Sequence, residues 1–238
     1  MILSGKVSVI SGASRGIGRA LAKRFAREGS IVCLCARHTE QLRAVSLEIM
    51  AAGGKSIFEQ TDVSDELQVR EFLSHCAASF GSIDILVNNA GALGPRVPLA
   101  DYSSQEWNRV LQVNLYGLFY MTKHALPYFN PAGGSIINVS SSVGKVARAN
   151  WGAYGVSKFA TEGYTQAIAE ELRPRNIRVN AVNPGAVATE MRHLAFPDED
   201  QRTLRKPEDI LDIFLYLASD ESKQVTGKSL DAQHFKKG

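Results

Sequence analysis

Tyr154 and Lys158, in the stretch "YGVSK", stand four positions apart. On a helix they share a face and can touch. A phenol beside an ammonium can serve as a proton donor: free tyrosine holds its proton to about pH 10, and a neighbouring cation favours the phenolate. The same spacing describes any solvated helix face, so the pair needs support from the rest of the chain.

A second candidate lies in "SGASRGIGRAL", where Gly12, Gly16 and Gly18 run directly into a helical pattern. Glycine lets backbone approach a pyrophosphate closely, and a helix N-terminus offers free N–H groups and a positive dipole end. Here the glycines join a strand to a helix, which is the context that gives the motif meaning. Dinucleotide-binding units that take NAD carry an acid about 20 residues further on, to hold the ribose 2′-hydroxyl. That place is filled by Ala36 and Arg37. With Arg15 in the loop, two guanidinium forks suit a 2′-phosphate that an acid would repel. The sequence therefore points to NADP(H).

The elements that must position these groups are short and alternate. Strands are expected at 6–11, 31–36, 55–60, 83–89, 134–140, 177–183 and 228–232, most of them Val/Ile-rich without strict alternation, as in strands covered on both faces. Helices are expected at 16–29, 39–54, 65–81, 103–126, 154–172 and 207–219. Ser103 and Glu106 form a capping-box pattern, and Pro207 suits a first helical position. The alternation predicts an α/β protein: one single-domain Rossmann fold over 1–238, with a doubly wound, seven-stranded parallel sheet flanked by helices. Ligand should then lie beyond the C-terminal strand ends, where the strand order reverses.

Composition narrows the classes. Of 238 residues, 45% are hydrophobic and 21% charged, enough to bury a large core. A net charge of +3, clustered only in the "KKG" tail, argues against nucleic acid. Cys33, Cys35 and Cys76 form no disulfide framework and imply a reducing, cytoplasmic setting. Cys33 and Cys35 face one side of a strand, where buried apolar packing is the simplest reading. The five histidines show no metal-ligand spacing, so no metal is expected. No leader pattern or membrane span is visible. A serine-hydrolase reading fails for want of a G-x-S-x-G elbow and a histidine base.

Five stretches occur in the order and spacing of one family: "SGASRGIG", "NNAG" at 88–91, "NVSSS" at 138–142, "YGVSK" and "NPG" at 183–185. Across nearly its whole length the chain resembles the short-chain dehydrogenase/reductase family. The resemblance implies that Tyr154 is the general acid. Lys158 would support its phenolate and bind the nicotinamide ribose. Ser141, thirteen positions before the tyrosine, would bond the substrate oxygen, although Ser140 and Ser142 compete for that role on sequence alone. Asn114 would hold a relay water. Around the cofactor it implies Gly12, Ser14, Arg15, Gly16, Ile17, Gly18 and Arg37, Asp62 and Val63 at the adenine, Asn89, Ala90 and Gly91 along the cleft, and Pro184, Gly185, Val187 and Thr189 at the nicotinamide. A homotetramer or homodimer through the helices around 104–126 and 154–172 is also implied. Leu93, Val143, Trp151 and Met191 are substrate-pocket candidates by position.

Two departures stand out. Only "EMRHLAFPDEDQRTLRK" separates Thr189 from Pro207, a short substrate lid, and the chain ends "SLDAQHFKKG" instead of the family's Asp-Gly-Gly. With "RANWGAY" before the tyrosine, this resembles a compact bacterial group. The expected activity is reduction of a ketone or aldehyde by NADPH. A 3-oxoacyl-acyl-carrier-protein reductase is the alternative, and a non-catalytic NADP-binding regulator is the alternative of another class.

Overall fold

The computed structural model describes residues 1–236. Lys237 and Gly238, most of the basic tail, lie outside the described residues. Seven strands form one parallel sheet: β1 (Val7–Ser11), β2 (Ile31–Ala36), β3 (Lys55–Gln60), β4 (Ile85–Asn88), β5 (Gly134–Val139), β6 (Ile177–Asn183) and β7 (Ser229–Asp231). Their spatial order is β3-β2-β1-β4-β5-β6-β7. The chain winds outward from β1 to β3, then returns to the other side of β1 at β4. The reversal places a crevice beyond the ends of β1 and β4.

Alternate residues feed two cores. Ile10, Leu34, Val87, Ile137 and Val182 face one way. They pack under α1 (Gly16–Arg27), α2 (Thr39–Ala51) and α8 (Asp212–Ala218), which contribute Leu21, Phe25, Leu42 and Phe214. Val9, Cys33, Leu86, Ile136 and Val179 face the other way. There they meet α3 (Glu66–Phe80), α5 (Gly117–Ala125) and α6 (Gly152–Leu172) through Phe72, Met121 and Leu172. All three cysteines are buried in this second core. Cys76, hydrogen-bonded to Cys33 and buried, and Cys35, buried, have thiols pushed well above the ordinary range, so both stay protonated and apolar in behaviour.

Three helices depart from expectation. The long helix read at 103–126 is α4 (Ser104–Leu111) joined to α5 by a π turn, Gln112–Tyr116. Its capping box is half formed: the Ser103 hydroxyl accepts from the Glu106 N–H at 3.2 Å, and Glu106 turns to Arg109 instead. The helix read at 207–219 is a 3-10 turn, Pro207–Ile210, followed by α8. A short helix, α7 (Glu190–Ala195), lies in the lid segment and was not legible in its mixed polar sequence. Thr189 caps it, its hydroxyl accepting from the Arg192 N–H at 3.2 Å.

A buried polar ladder ties the sheet to the site helices. Asn88 on β4 donates to Asn138 on β5 at 2.9 Å and to Thr122 on α5 at 3.2 Å. Asn138 donates in turn to Thr165 on α6 at 2.9 Å. Each bond is modest alone, but linked buried donors and acceptors fix one arrangement of strand and helix.

Candidate active site

A cavity of about 500 Å³ runs along the C-terminal strand ends. At its centre, β1 ends in Ser11 and turns through Gly12 (φ 64°) and Gly16 (φ 54°) into α1. A left-handed backbone at both positions favours glycine. Gly18 is required by contact: a Cβ there would stand 2.3 Å from the Gly12 carbonyl oxygen and 2.5 Å from Asn89 Nδ2. Asn89 bolts the loop, donating to the Ser11 and Gly12 carbonyls at 3.0 and 3.1 Å. The start of α1 has no side-chain cap and no acid in its first turn, so its N–H groups and positive dipole end face the cavity uncompensated. Ser14, Arg15 and Ile17 line the same stretch. The cradle fits a pyrophosphate.

At one end the cavity is lined by Ala36, Arg37 and His38 from the end of β2, and by Thr61, Asp62 and Val63 after β3. Asp62 is held by Ser64, whose N–H and hydroxyl donate to it at 3.0 and 2.7 Å. Arg37 is exposed and has no ion-pair partner among the described residues. Arg15, in contrast, is paired with Glu190 at the start of α7. The two arginines line one cavity, but only Arg37 has an unengaged fork.

At the other end, α6 faces the tip of β5. Tyr154, Lys158 and Asn114 are all buried, and Ser141 is half-buried. Lys158 Nζ donates to the Val139 carbonyl at 2.6 Å and lies 5.6 Å from the centre of the Tyr154 ring. Burial raises the Tyr154 phenol above its ordinary range, and a hydrogen bond with Ser141 opposes that rise. Burial draws the Lys158 ammonium down to about 8, against the pull of Glu162. Perturbed groups of this kind facing a cleft mark a candidate for acid–base chemistry.

The structure brings Ser141 to the tyrosine. Ser140 is buried and its hydroxyl donates to Glu162, while Ser142 is exposed and outside the cavity lining. Asn114 sits inside the π turn, where one extra residue re-aims the side chain inward. Its Oδ1 accepts from the Ala92 N–H at 2.7 Å, and its Nδ2 donates to the Ala92 carbonyl and to Ser157 Oγ, both at 2.9 Å. Asn114 therefore lies behind the main cavity. With Lys158, Ser11, Thr161 and Asn88 it lines a separate void of about 10 Å³. That is close to the room one water needs. Asn88 Oδ1, buried, has no partner among the described residues.

Leu93, Trp151 and Met191, the substrate-pocket candidates, line the cavity together with Phe196. Val143 does not; it is buried behind them, in the cluster that holds Trp151 and Tyr154. Sequence reasoning missed the stacking that frames this end. The Arg96 guanidinium lies 4.7 Å from the centres of both the Trp151 and Phe196 rings. Arg192 packs on Phe196 at 3.8 Å and forks onto Glu199 with two bonds of 2.6 Å, closing the lid on itself.

The unusual C-terminus is engaged here too. Gly185 turns with φ 73°, and Gln233 Nε2 donates to the Pro184 and Ala186 carbonyls at 2.8 and 3.1 Å. Asp231 accepts from Asn183 at 2.6 Å and from Lys145 at 3.2 Å. Gly91, Ala90, Val187 and Thr189 complete the wall between the two ends.

A family model described as short chain dehydrogenase matches residues 6–200. The Escherichia coli K12 oxidoreductase YciK is 39% identical over 241 positions, covering 99% of this chain and 95% of the relative. The 3-oxoacyl-acyl-carrier-protein reductase FabG of Thermotoga maritima is 38% identical, covering 96% of each. A solved short chain dehydrogenase from Shigella flexneri 2a, complexed with NADP, matches with a TM-score of 0.94 at 38% identity over 98% of each chain.

Proposed function

The chain belongs to the short-chain dehydrogenase family, and from that premise we propose that it moves hydride between NADP(H) and a ketone or aldehyde, with Tyr154 as general acid. One observation supports this most. A single cavity joins unpaired Arg37 at one end, through the glycine cradle at its centre, to Tyr154, Ser141 and Lys158 at the other. The NADP held by the Shigella relative favours the same cofactor.

NADPH, when bound, supplies the hydride. The chain's own residues position and protonate. Ser141 donates to the substrate oxygen and to the phenol in turn, fixing both. Tyr154 delivers the proton to the oxygen as it becomes an alkoxide. Lys158 keeps the developing phenolate tolerable in a buried place, and Asn114, Asn88 and the small void behind it offer a water path for the returning proton. Gly12, Gly16 and Gly18 admit the pyrophosphate. Asp62 and Val63 flank the adenine, and Asn89, Ala90 and Gly91 line the path between the two ends. Pro184, Gly185, Val187 and Thr189 form the nicotinamide wall, and the aromatic end takes an apolar carbonyl compound. The proposal covers the chain as one catalytic unit in the cytoplasm.

The test is NADPH consumption against ketones, aldehydes, diketones and an acetoacetyl thioester. Turnover of small carbonyls supports the reading. Turnover confined to the thioester makes the protein a 3-oxoacyl reductase, as the FabG relative is. Tight NADPH binding without any turnover leaves two readings, a substrate outside the panel or a regulator.

Arg37→Ala is expected to raise the NADPH KM about 10–100-fold, the loss of one charge-assisted contact, while leaving the NADH KM in place. Arg15→Ala should cost less, because Glu190 already occupies that fork. Equal NADPH and NADH values in the parent protein would refute the two-arginine argument.

The same proposal includes a homo-oligomer. Tyr116, at the end of the π turn, and Phe119 on α5 are 45% and 41% exposed, and Val156 and Phe159 on α6 are 48% and 43% exposed. A second copy is the occupant that the family suggests for such helix faces. Phe159→Glu should drop the mass seen by analytical ultracentrifugation; an unchanged mass would place the contact elsewhere.

A further inference from the structure

The α6 face that carries Tyr154 and Lys158 has a third member. Glu162 follows Lys158 by one more turn and is 9% exposed. Three successive residues at the tip of β5 are matched to these three helix positions. Ser141 lies on the cavity wall with Tyr154, the Val139 carbonyl accepts from Lys158 at 2.6 Å, and the Ser140 hydroxyl donates to Glu162. Ser229 on β7 donates to the same carboxylate oxygen at 2.9 Å. Glu162 is outside the cavity lining, so it touches neither cofactor nor substrate. A buried carboxylate that only braced a strand would be a costly choice where an amide could serve. Its charge has a use on the page: Lys158 is the cation one turn away, and that cation is itself buried.

We propose that Glu162 is a positioning residue of the active site, whose carboxylate keeps Lys158 cationic while holding Ser140 and so the strand tip that presents Ser141. This rests on the role given to Lys158 above. Burial alone drives the Lys158 ammonium toward the neutral form, and Glu162 is the group that pulls it back. From the turn after β5 and from β7, Lys145 and Asp231 pair with each other at 3.2 Å, and His234 acts on Asp231 from the turn that follows. Tyr154 is the other titratable group on the same face, and the neighbours from the π turn and β1 are the neutral Asn114 and Ser11.

The experiment titrates Lys158 directly in the cofactor-free protein, by NMR of side-chain carbon-13 lysine, with the resonance identified by its loss in Lys158→Arg. The pH profile of kcat/KM is read beside it. Glu162→Gln keeps the shape and a hydrogen-bond acceptor but removes the charge. It should lower the Lys158 midpoint by about one pH unit, and the alkaline limb of activity should move with it, costing about fivefold at pH 8 and little at pH 6. Ser140→Ala removes the bond and leaves the charge, so it should keep the Lys158 midpoint. If Glu162→Gln fails to fold, Glu162→Leu carries the same reading. A midpoint unmoved by loss of the charge overturns the proposal, as does a Ser140→Ala shift of equal size. A moved midpoint with an unmoved activity profile upholds it and refutes the role of Lys158 in the reaction instead.

Discussion

Tyr154→Phe is expected to lower kcat for carbonyl reduction by about 10²–10⁴-fold, the range general acid catalysis supplies. The argument is geometric. Tyr154 is 8% exposed, and its ring packs on Trp151 with centroids 5.6 Å apart. Phenylalanine preserves both the volume and that contact, so the fold and the cofactor cradle should survive. Only the hydroxyl goes, and with it the proton that must reach the oxygen as hydride arrives. NADPH affinity, measured by fluorescence, should therefore stay within about twofold while turnover collapses, since the lost interaction belongs to the transition state. A variant that keeps a tenth or more of its kcat would remove Tyr154 from the chemistry. Loss of NADPH binding alongside activity would mean that the ring, not its proton, is what the site needs.

The residues behind that prediction differ in how far sequence could reach them. The strands and the tyrosine–lysine pair are legible because periodicity and spacing are local properties. The π turn is not: "QVNLY" carries no breaker, and its extra residue is selected by what Asn114 must bond across the fold, the Ala92 backbone and Ser157. Only the family spacing favours Ser141 over Ser140 and Ser142, because consecutive strand-end residues differ only in direction, and direction is set by Glu162 and Tyr154 on a distant helix. Glu162 itself had a signal that went unused, since it continues the spacing of Tyr154 and Lys158. Arg15 shows the opposite failure: its place beside the cavity was legible, its partner Glu190 was not, because the two are 175 residues apart in sequence. The C-terminal Gln233 was legible only as a departure from a pattern. Its work, holding two carbonyls of the turn after β6, needs the folded chain to be seen.

Gly18→Ala should damage both the fold and the cofactor cradle with a single methyl. The added Cβ would meet the Gly12 carbonyl oxygen at 2.3 Å and Asn89 Nδ2 at 2.5 Å; the first is backbone and the second a side-chain amide pinned by two hydrogen bonds. Gly12 cannot retreat, because a Cβ-sized space behind it is already closed by Ala90 backbone at 2.8 Å. Asn89 cannot swing away without releasing the Ser11 and Gly12 carbonyls. The start of α1 must therefore move outward from the crevice, which costs about 1–3 kcal/mol of stability for an overpacked site. In a chain of 238 residues that corresponds to a Tm lower by about 2–12 °C. The cofactor loses more. The N–H groups at the helix start could hold a pyrophosphate only while the turn stays tight, and an outward shift of about 1 Å would break several such bonds together. NADPH affinity should fall by about 100-fold or more, at a temperature where the variant is still folded by circular dichroism. Gly16→Ala tests the same loop from its open side, where the nearest atom is Thr189 Cγ2 at 3.5 Å and the obstacle is the positive φ, not space. It should destabilise by conformational strain of about 1 kcal/mol and weaken NADPH far less. If both variants bind NADPH as the parent does, the glycine turn is only a turn, and the cofactor enters elsewhere.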